Sequence, residues 1–161
     1  MGTKRVGLAR VQALIENLKR ELDLNGASFA GGLDAAMEAP AGTTTALTAA
    51  DSGKVVFLAA NDAQVELPDT AVGLCYKIIL ADDYSTAVSK VTAKAGQFMA
   101  GGVSAFSTNQ GNEANGSSNL VATFGSATLA GDYIDLHCDG TKWYVRGQCA
   151  ADSNGIAFSN S

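Results

Sequence analysis

Histidine, cysteine and tryptophan are scarce in this chain: its 161 residues hold one His, three Cys and one Trp. The cysteines (Cys75, Cys138 and Cys149) are odd in number and include no CxxC pair, so they signal neither a disulfide framework nor a zinc site. Buried free thiols in a protein made in a reducing cytoplasm are expected. A single histidine, His137, would have to serve any triad, and no G-x-S-x-G elbow accompanies it. Asp135 and Asp139 lie two residues away on either side, where strand side chains splay in parallel, so His137 reads as a surface histidine rather than a metal ligand or acid–base group. Asp82/Asp83 and Asp132/Asp135 read as scattered surface acids, not as the carboxylate pair of a glycosidase. Gly101-Gly102 lacks the following helix that a phosphate cradle requires. No apolar run approaches the roughly 18 residues of a membrane span. Arg10 and Glu16 interrupt any signal-peptide core, and Val6 stands where myristoylation prefers Ser or Thr. These absences lead us to expect no enzymatic activity, no metal, no cofactor and no membrane partner.

What is present begins with residues 4–25, KRVGLARVQALIENLKRELDLN. Leu8, Val11, Ile15, Leu18 and Leu22 recur at steps of three and four, the a/d seam of a coiled coil. Leu14 adds an apolar residue at g, which suits more than two helices. Gly26 can end the helix in the left-handed conformation. The five seam residues, at about 1.5–3 kcal/mol each when buried, supply roughly 7–15 kcal/mol. Ordering about 18 residues of backbone at roughly 1–2 kcal/mol each costs more. The helix therefore needs neighbours, either symmetry mates or another surface.

Charge divides at the same place. Residues 1–25 carry five basic residues (Lys4, Arg5, Arg10, Lys19 and Arg20) against three acids, and the remainder carries six basic residues against thirteen acids. A basic arm on an acidic body suits docking to an acidic surface. Five basic residues without an aromatic among them make a poor nucleic-acid site, and the acidic body opposes phosphate binding.

Residues 27–46 are rich in Gly, Ala and Thr and read as a linker; 47–161 read as one β-domain. Strands are expected at 54–60, 63–67, 73–81, 87–93, 103–107, 133–138, 141–147 and around Ile156 and Phe158. The run at 73–81 is apolar enough to be buried on both faces. Gly96 and Gly101-Gly102 read as turns, and residues 108–119 as a polar surface loop. The clearest hairpin joins 133–138 to 141–147 through Asp139-Gly140, a pair suited to a type I′ turn. Its alternation puts Ile134, Leu136, Trp143 and Val145 in the core, and leaves Tyr133 and Tyr144 as exposed candidates for recognition. A β-sandwich, jelly roll or small barrel is the expected architecture.

Two stretches resemble known proteins. GTKRVGLARVQALIENLKREL at 2–22 resembles the N-terminus shared by virion structural proteins of marine cyanophages and related tailed phages. LTAADSGKVVFLA at 47–59 and ATFGSATLAGDYIDLHCDGTKWYV at 122–145 resemble β-modules of phage head-decoration and fibre-associated proteins. The resemblance implies a virion protein without catalytic residues, commonly a trimer at local three-fold positions of a capsid.

The resulting expectation is a homotrimeric capsid decoration (cement) protein, made in the host cytoplasm and located on the capsid surface. Its partners would be further copies of itself and the major capsid protein. Lys4, Arg5, Leu8, Arg10, Val11, Ile15, Leu18 and Leu22 would make the oligomer and capsid contacts. The alternative expectation is a tail- or fibre-associated module that binds a host glycan or another tail protein through Tyr133 and Tyr144.

Overall fold

The computed structural model describes residues 10–13, 35–84, 87–106, 111–151 and 153–160. The chain divides into two compact units, Met1–Leu33 and Asp34–Ser161. In the first unit, residues 10–13 are helical. Lys4, Arg5, Leu8, Ile15, Leu18 and Leu22 lie outside the described residues.

The second unit is mainly β. Its strands are β1 (Ala36–Ala39), β2 (Thr44–Ala46), β3 (Val55–Leu58), β4 (Gln64–Glu66), β5 (Val72–Leu80), β6 (Ser89–Thr92), β7 (Met99–Ala105), β8 (Gly111–Asn115), β9 (Val121–Phe124), β10 (Tyr133–Asp139), β11 (Trp143–Cys149) and β12 (Ile156–Ser159). They form a seven-stranded sheet, ordered β1-β3-β5-β10-β11-β7-β8, and a five-stranded sheet, ordered β12-β9-β6-β4-β2. Both sheets mix parallel and antiparallel pairs.

The first six strands alternate between the sheets. β1, β3 and β5 stack in parallel in the larger sheet, and β2, β4 and β6 in the smaller one. The mainly β architecture is as expected, but this three-rung parallel coil is not the strand arrangement of a jelly roll, one of the expected alternatives. Register explains why it packs. Met37, Val56 and Ile78 are aligned from rung to rung, as are Ala39, Leu58 and Leu80. In the facing sheet Thr45, Val65 and Val91 align. Parallel strands need apolar cover, and these inward rows supply it to each other across the sandwich. β1 and β2 fall within the stretch read as a linker.

The second half is chiefly antiparallel. β10 pairs with β5 and with β11, β9 with β6, and β12 with β9, while β11 runs parallel to β7. Ile134, Leu136, Trp143 and Val145 are buried, as their alternation predicts. Tyr76 packs on Trp143 with ring centroids 5.8 Å apart, and its hydroxyl donates to Thr48 O at 2.8 Å. Burial pushes the Tyr76 phenol up to about 12. At the far edges of the two sheets, Asn112 Nδ2 donates to Ile156 O at 2.6 Å.

Four local expectations are corrected. β5 is buried on one face only: Leu74, Tyr76, Ile78 and Leu80 point inward, and Cys75, Lys77 and Ile79 are partly open on the other face. Residues 111–115 form β8 rather than part of a loop. Gly101-Gly102 lies inside β7 rather than in a turn. There, a Cβ on Gly101 would strike the β11 backbone at Val145, and one on Gly102 the β8 backbone at Asn112. Bare glycine lets three strand backbones approach closely. Finally, the β10–β11 turn is not type I′ at Asp139-Gly140: Asp139 ends β10 and its N–H donates to Lys142 O at 3.4 Å, so Gly140 and Thr141 are central, and of these only Gly140, at φ +93°, is left-handed. The Asp139 carboxylate instead accepts from Thr141 N–H at 2.7 Å and Lys142 N–H at 3.0 Å, an Asx arrangement that replaces the second positive φ.

Candidate functional site

The outward face of the seven-stranded sheet gathers most of the chemically versatile side chains of the body. Three cross-strand rows follow from the register. The first contains Phe57, Ile79, Tyr133, Gln148 and Ser104. The second contains Val55, Lys77, Asp135, Arg146, Gly102 and Glu113. The third contains Cys75, His137, Tyr144, Ala100 and Asn115. Period-2 alternation in β5, β10 and β11 places these residues outward while their neighbours fill the core.

The two tyrosines picked out by the sequence share this face but differ in setting. Lys77 Nζ sits 4.1 Å from the centroid of the Tyr133 ring and 3.4 Å from Asp135 Oδ1, so one face of that ring is covered by an ammonium group. The Tyr133 hydroxyl donates to Gln148 Oε1 at 3.5 Å. Tyr144 is 46% exposed. Its hydroxyl donates to Asp139 Oδ2 at 3.0 Å, and the carboxylate beside it pushes the phenol pKa up. Asp139 Oδ1 accepts from Thr141 Oγ1 as well as from the two backbone amides. Those hydrogen bonds, Thr141's first, hold the Asp139 carboxyl well below the usual carboxylate range.

His137 is exposed and lies between Cys75 and Tyr144 in the register. On its β5 side a pocket of about 130 Å³ is lined by Gly53, Lys54, Cys75, Tyr76, Lys77, Asp135 and His137. The pocket wall is fixed from behind: Lys54 Nζ pairs with Asp51 at 3.0 Å, and Ser52 Oγ accepts from Cys75 N–H at 3.0 Å. Thr48 N–H and Oγ1 both donate to Asp51 Oδ2, and together with Lys54 they lower the Asp51 pKa against the opposing effect of burial. Cys75 is half-buried, whereas Cys138 and Cys149 are buried; none of the three is in a disulfide.

Among the described residues, no group of three or more His, Cys, Asp or Glu is placed to share a metal ion. Asp83 and Asp132 are near enough to interact, but each is held by backbone amides, Asp83 by Ala130 N–H and Asp132 by Leu129 and Ala150 N–H, and Asp135 faces outward beside Lys77. The arrangement on the sheet face offers charged donors, a carboxylate acceptor, an imidazole and an open aromatic ring, all on paired strands. That combination can donate and accept hydrogen bonds and offers a ring for stacking.

Lys77, Arg146 and the low strand at Ala100–Gly102 are members of this face that the sequence did not single out. The alternation of 141–147 already placed Arg146 outward beside Tyr144. Lys77 was hidden by the assumption that its strand is covered on both sides. Of the arm residues, Arg10 and Val11 are described, and Val11 is 59% exposed. No protein family, no curated protein and no solved structure matches the chain.

Proposed function

We propose that the chain is a structural virion protein, a homotrimeric capsid decoration protein that binds the outer capsid surface and braces the head. The observation that carries this reading is Val11: a seam residue of the heptad arm that stands exposed on helical backbone. An apolar stripe of that spacing is stabilised by partner helices, and three copies fit a local three-fold position. The acidic two-sheet body is braced by cross-strand pairing from rung to rung, which suits a load-bearing plate rather than a deformable catalytic cleft. The resemblance of residues 2–22 and 47–59 to phage structural proteins supports the same reading. Repeated weak contacts across a lattice would gain strength from local concentration. Lys4, Arg5 and Arg10 would steer the arm to acidic capsid surface, and Leu8, Val11, Ile15, Leu18 and Leu22 would pack once there.

Light scattering on the full chain, with and without residues 1–25, tests the assembly. A trimer of about 49 kDa, three times the 16.4 kDa chain, is expected for the full chain. Co-sedimentation with undecorated heads tests the location, and truncation should abolish it while the body stays folded. A full chain that remains monomeric and does not sediment with heads would overturn the reading.

A further inference from the structure

The outer face of the seven-stranded sheet has a chemistry of its own that capsid docking by the arm does not use. The body is acidic, yet four of its six basic residues (Lys54, Lys77, Lys142 and Arg146) and the chain's only histidine lie on or beside this face. They are interleaved with Asp135, Asp139 and Glu113, so charge is balanced locally. Two planar groups that can make paired hydrogen bonds, the Arg146 guanidinium and the Asp135 carboxylate, lie at the centre beside the His137 imidazole.

The relief of the face is continuous along one row. The pocket of about 130 Å³ lies on one side of His137. Tyr144 stands on the other side, with its ring direction fixed by the Asp139 bond. Beyond Tyr144 and Arg146, Ala100 and Gly102 leave β7 low, with Glu113 on the next strand; at the Ala100 end Lys142 Nζ donates to Gly116 O at 3.4 Å, and the Asn115 side chain bonds Ser117 and Ser118. With strands about 4.8 Å apart, the walls of this trough stand about 10 Å from each other. The row from Cys75 to Asn115 crosses four strand spacings, about 19 Å. A pocket this small is well below the roughly 300–1,000 Å³ of a typical cofactor site, so it suits one ring of a longer ligand.

We propose that this face binds a neutral oligosaccharide laid across the strands, with one sugar in the His137 pocket and another stacked on Tyr144. An exposed ring held in place by its own hydroxyl presents an apolar platform at little entropic cost. Sugar hydroxyls donate and accept at once, which matches a surface of alternating cations and carboxylates. The acidic body disfavours polyanions such as nucleic acid or sulfated glycans. A second protein copy fits less well, because protein interfaces are depleted of Lys and Asp at their centre. Here Lys77 and Asp135 occupy the centre. The proposal is independent of the decoration role and survives its failure.

The test uses the full chain on a panel of immobilised neutral oligosaccharides (glucan, mannan, galactan and xylan fragments) with their sulfated counterparts. Titration calorimetry follows on any ligand retained. Retention of at least one neutral oligosaccharide is expected. Tyr144→Ala and Arg146→Ala should each weaken it about tenfold or more. Tyr144→Phe should stay within about threefold, and Thr123→Ala, on the opposite sheet, should change nothing. Near-ultraviolet circular dichroism from the buried Trp143 establishes that each variant is folded. Cys75 gives a second readout, since it lines the pocket while the other cysteines are buried. Bound oligosaccharide should slow its alkylation by iodoacetamide. The proposal is overturned if no neutral oligosaccharide is retained, if only sulfated ones are, or if binding survives in folded Tyr144→Ala. Self-association that Tyr144→Ala abolishes, without any sugar binding, would assign the face to a second copy and overturn it equally.

Discussion

Tyr144 and Asp139 are joined by a 3.0 Å hydrogen bond that links the tip of the β10–β11 hairpin to the aromatic ring five residues later. The same carboxylate caps Thr141 and Lys142. One side chain therefore fixes both the turn and the orientation of the exposed ring.

The first prediction follows from that bond. The Asp139 pKa is depressed in the folded protein, so the group contributes stability that is present above the ordinary carboxylate pKa of about 3.9 and is lost as pH falls through the lower folded value. Carbon-13 detected titration of the Asp139 carboxyl should show its midpoint well below 3.9, with the Tyr144 ring resonances moving in the same step. A midpoint near the ordinary value would show that the turn does not hold the anion. In Asp139→Asn the side-chain carbonyl can still accept from the turn amides, and its amide N–H can donate to the Tyr144 oxygen. The turn should persist, and the step in the Tyr144 ring resonances at low pH should vanish.

Asp132 has the opposite sign. It is buried, its Oδ2 accepts from Leu129 N–H at 3.1 Å, and its Oδ1 accepts from Ala150 N–H at 2.9 Å. Burial raises its pKa against these bonds, and Asp83 adds a further push upward. A raised folded pKa contributes stability below the unfolded value of about 3.9, and that contribution is lost as pH rises through the folded value. Urea unfolding across this window should show a decline with rising pH that Asp132→Asn removes. Asp132→Ala should cost about 1–3 kcal/mol at low pH, because two backbone amides lose their acceptor. An identical pH slope in wild type and Asp132→Asn would refute the assignment.

The two sheets were legible from sequence only in part, and the reason lies in particular residues. Tyr133–Asp139 and Trp143–Cys149 alternate cleanly because one face is core and the other open, so the hairpin and its four core residues could be read. The parallel coil could not, because its repeat is uneven. The chain advances 19 residues from Ala36 to Val55 and 22 from Val55 to Lys77. In the other sheet Thr44 meets Gln64, which meets Lys90. Its first rung is Ala-Met-Glu-Ala followed by Thr-Thr-Ala, in which Ala and Glu are depleted in strands and only the two Thr favour one. The outward face of the larger sheet was visible as two tyrosines, but their inequality depends on Lys77, which only the pairing of β5 with β10 brings over Tyr133.

Gly101 and Gly102 should tolerate no side chain. Gly101 has φ +124°, a region closed to other residues, and both positions meet a neighbouring strand backbone where a Cβ would go. Gly101→Ala and Gly102→Ala should each destabilise by at least about 1–3 kcal/mol through forced backbone shifts. Hydrogen exchange should accelerate in β8 for Gly102→Ala, because Asn112 is the backbone that must move. Wild-type stability in either variant would mean that the sheet absorbs the extra carbon.

The last prediction concerns how the coil holds its rungs together. Ser89 is buried at the start of β6, where its hydroxyl donates to Ala59 O at 2.8 Å and accepts from Ala63 N–H at 3.2 Å. Those two backbone groups flank the corner at Asn61 and Asp62, whose φ values are 80° and 66°. Asn61 Oδ1 in turn accepts from Ala87 N–H at 3.1 Å, so the third rung ties down the left-handed corner of the second through both side chains. Ser89→Ala removes the shared hydroxyl and leaves a buried donor and acceptor apart, a loss of about 1–3 kcal/mol. Ser89→Thr keeps the hydroxyl and should recover part of that loss. Asn61→Gly relaxes the backbone but gives up the Ala87 bond, so a change of less than about 1 kcal/mol is expected from the two opposing effects. Chemical unfolding of the three variants decides the point. If Ser89→Ala matched wild type, the corner would be held by its backbone alone, and the rung-to-rung ties would have no part in the stability of the coil.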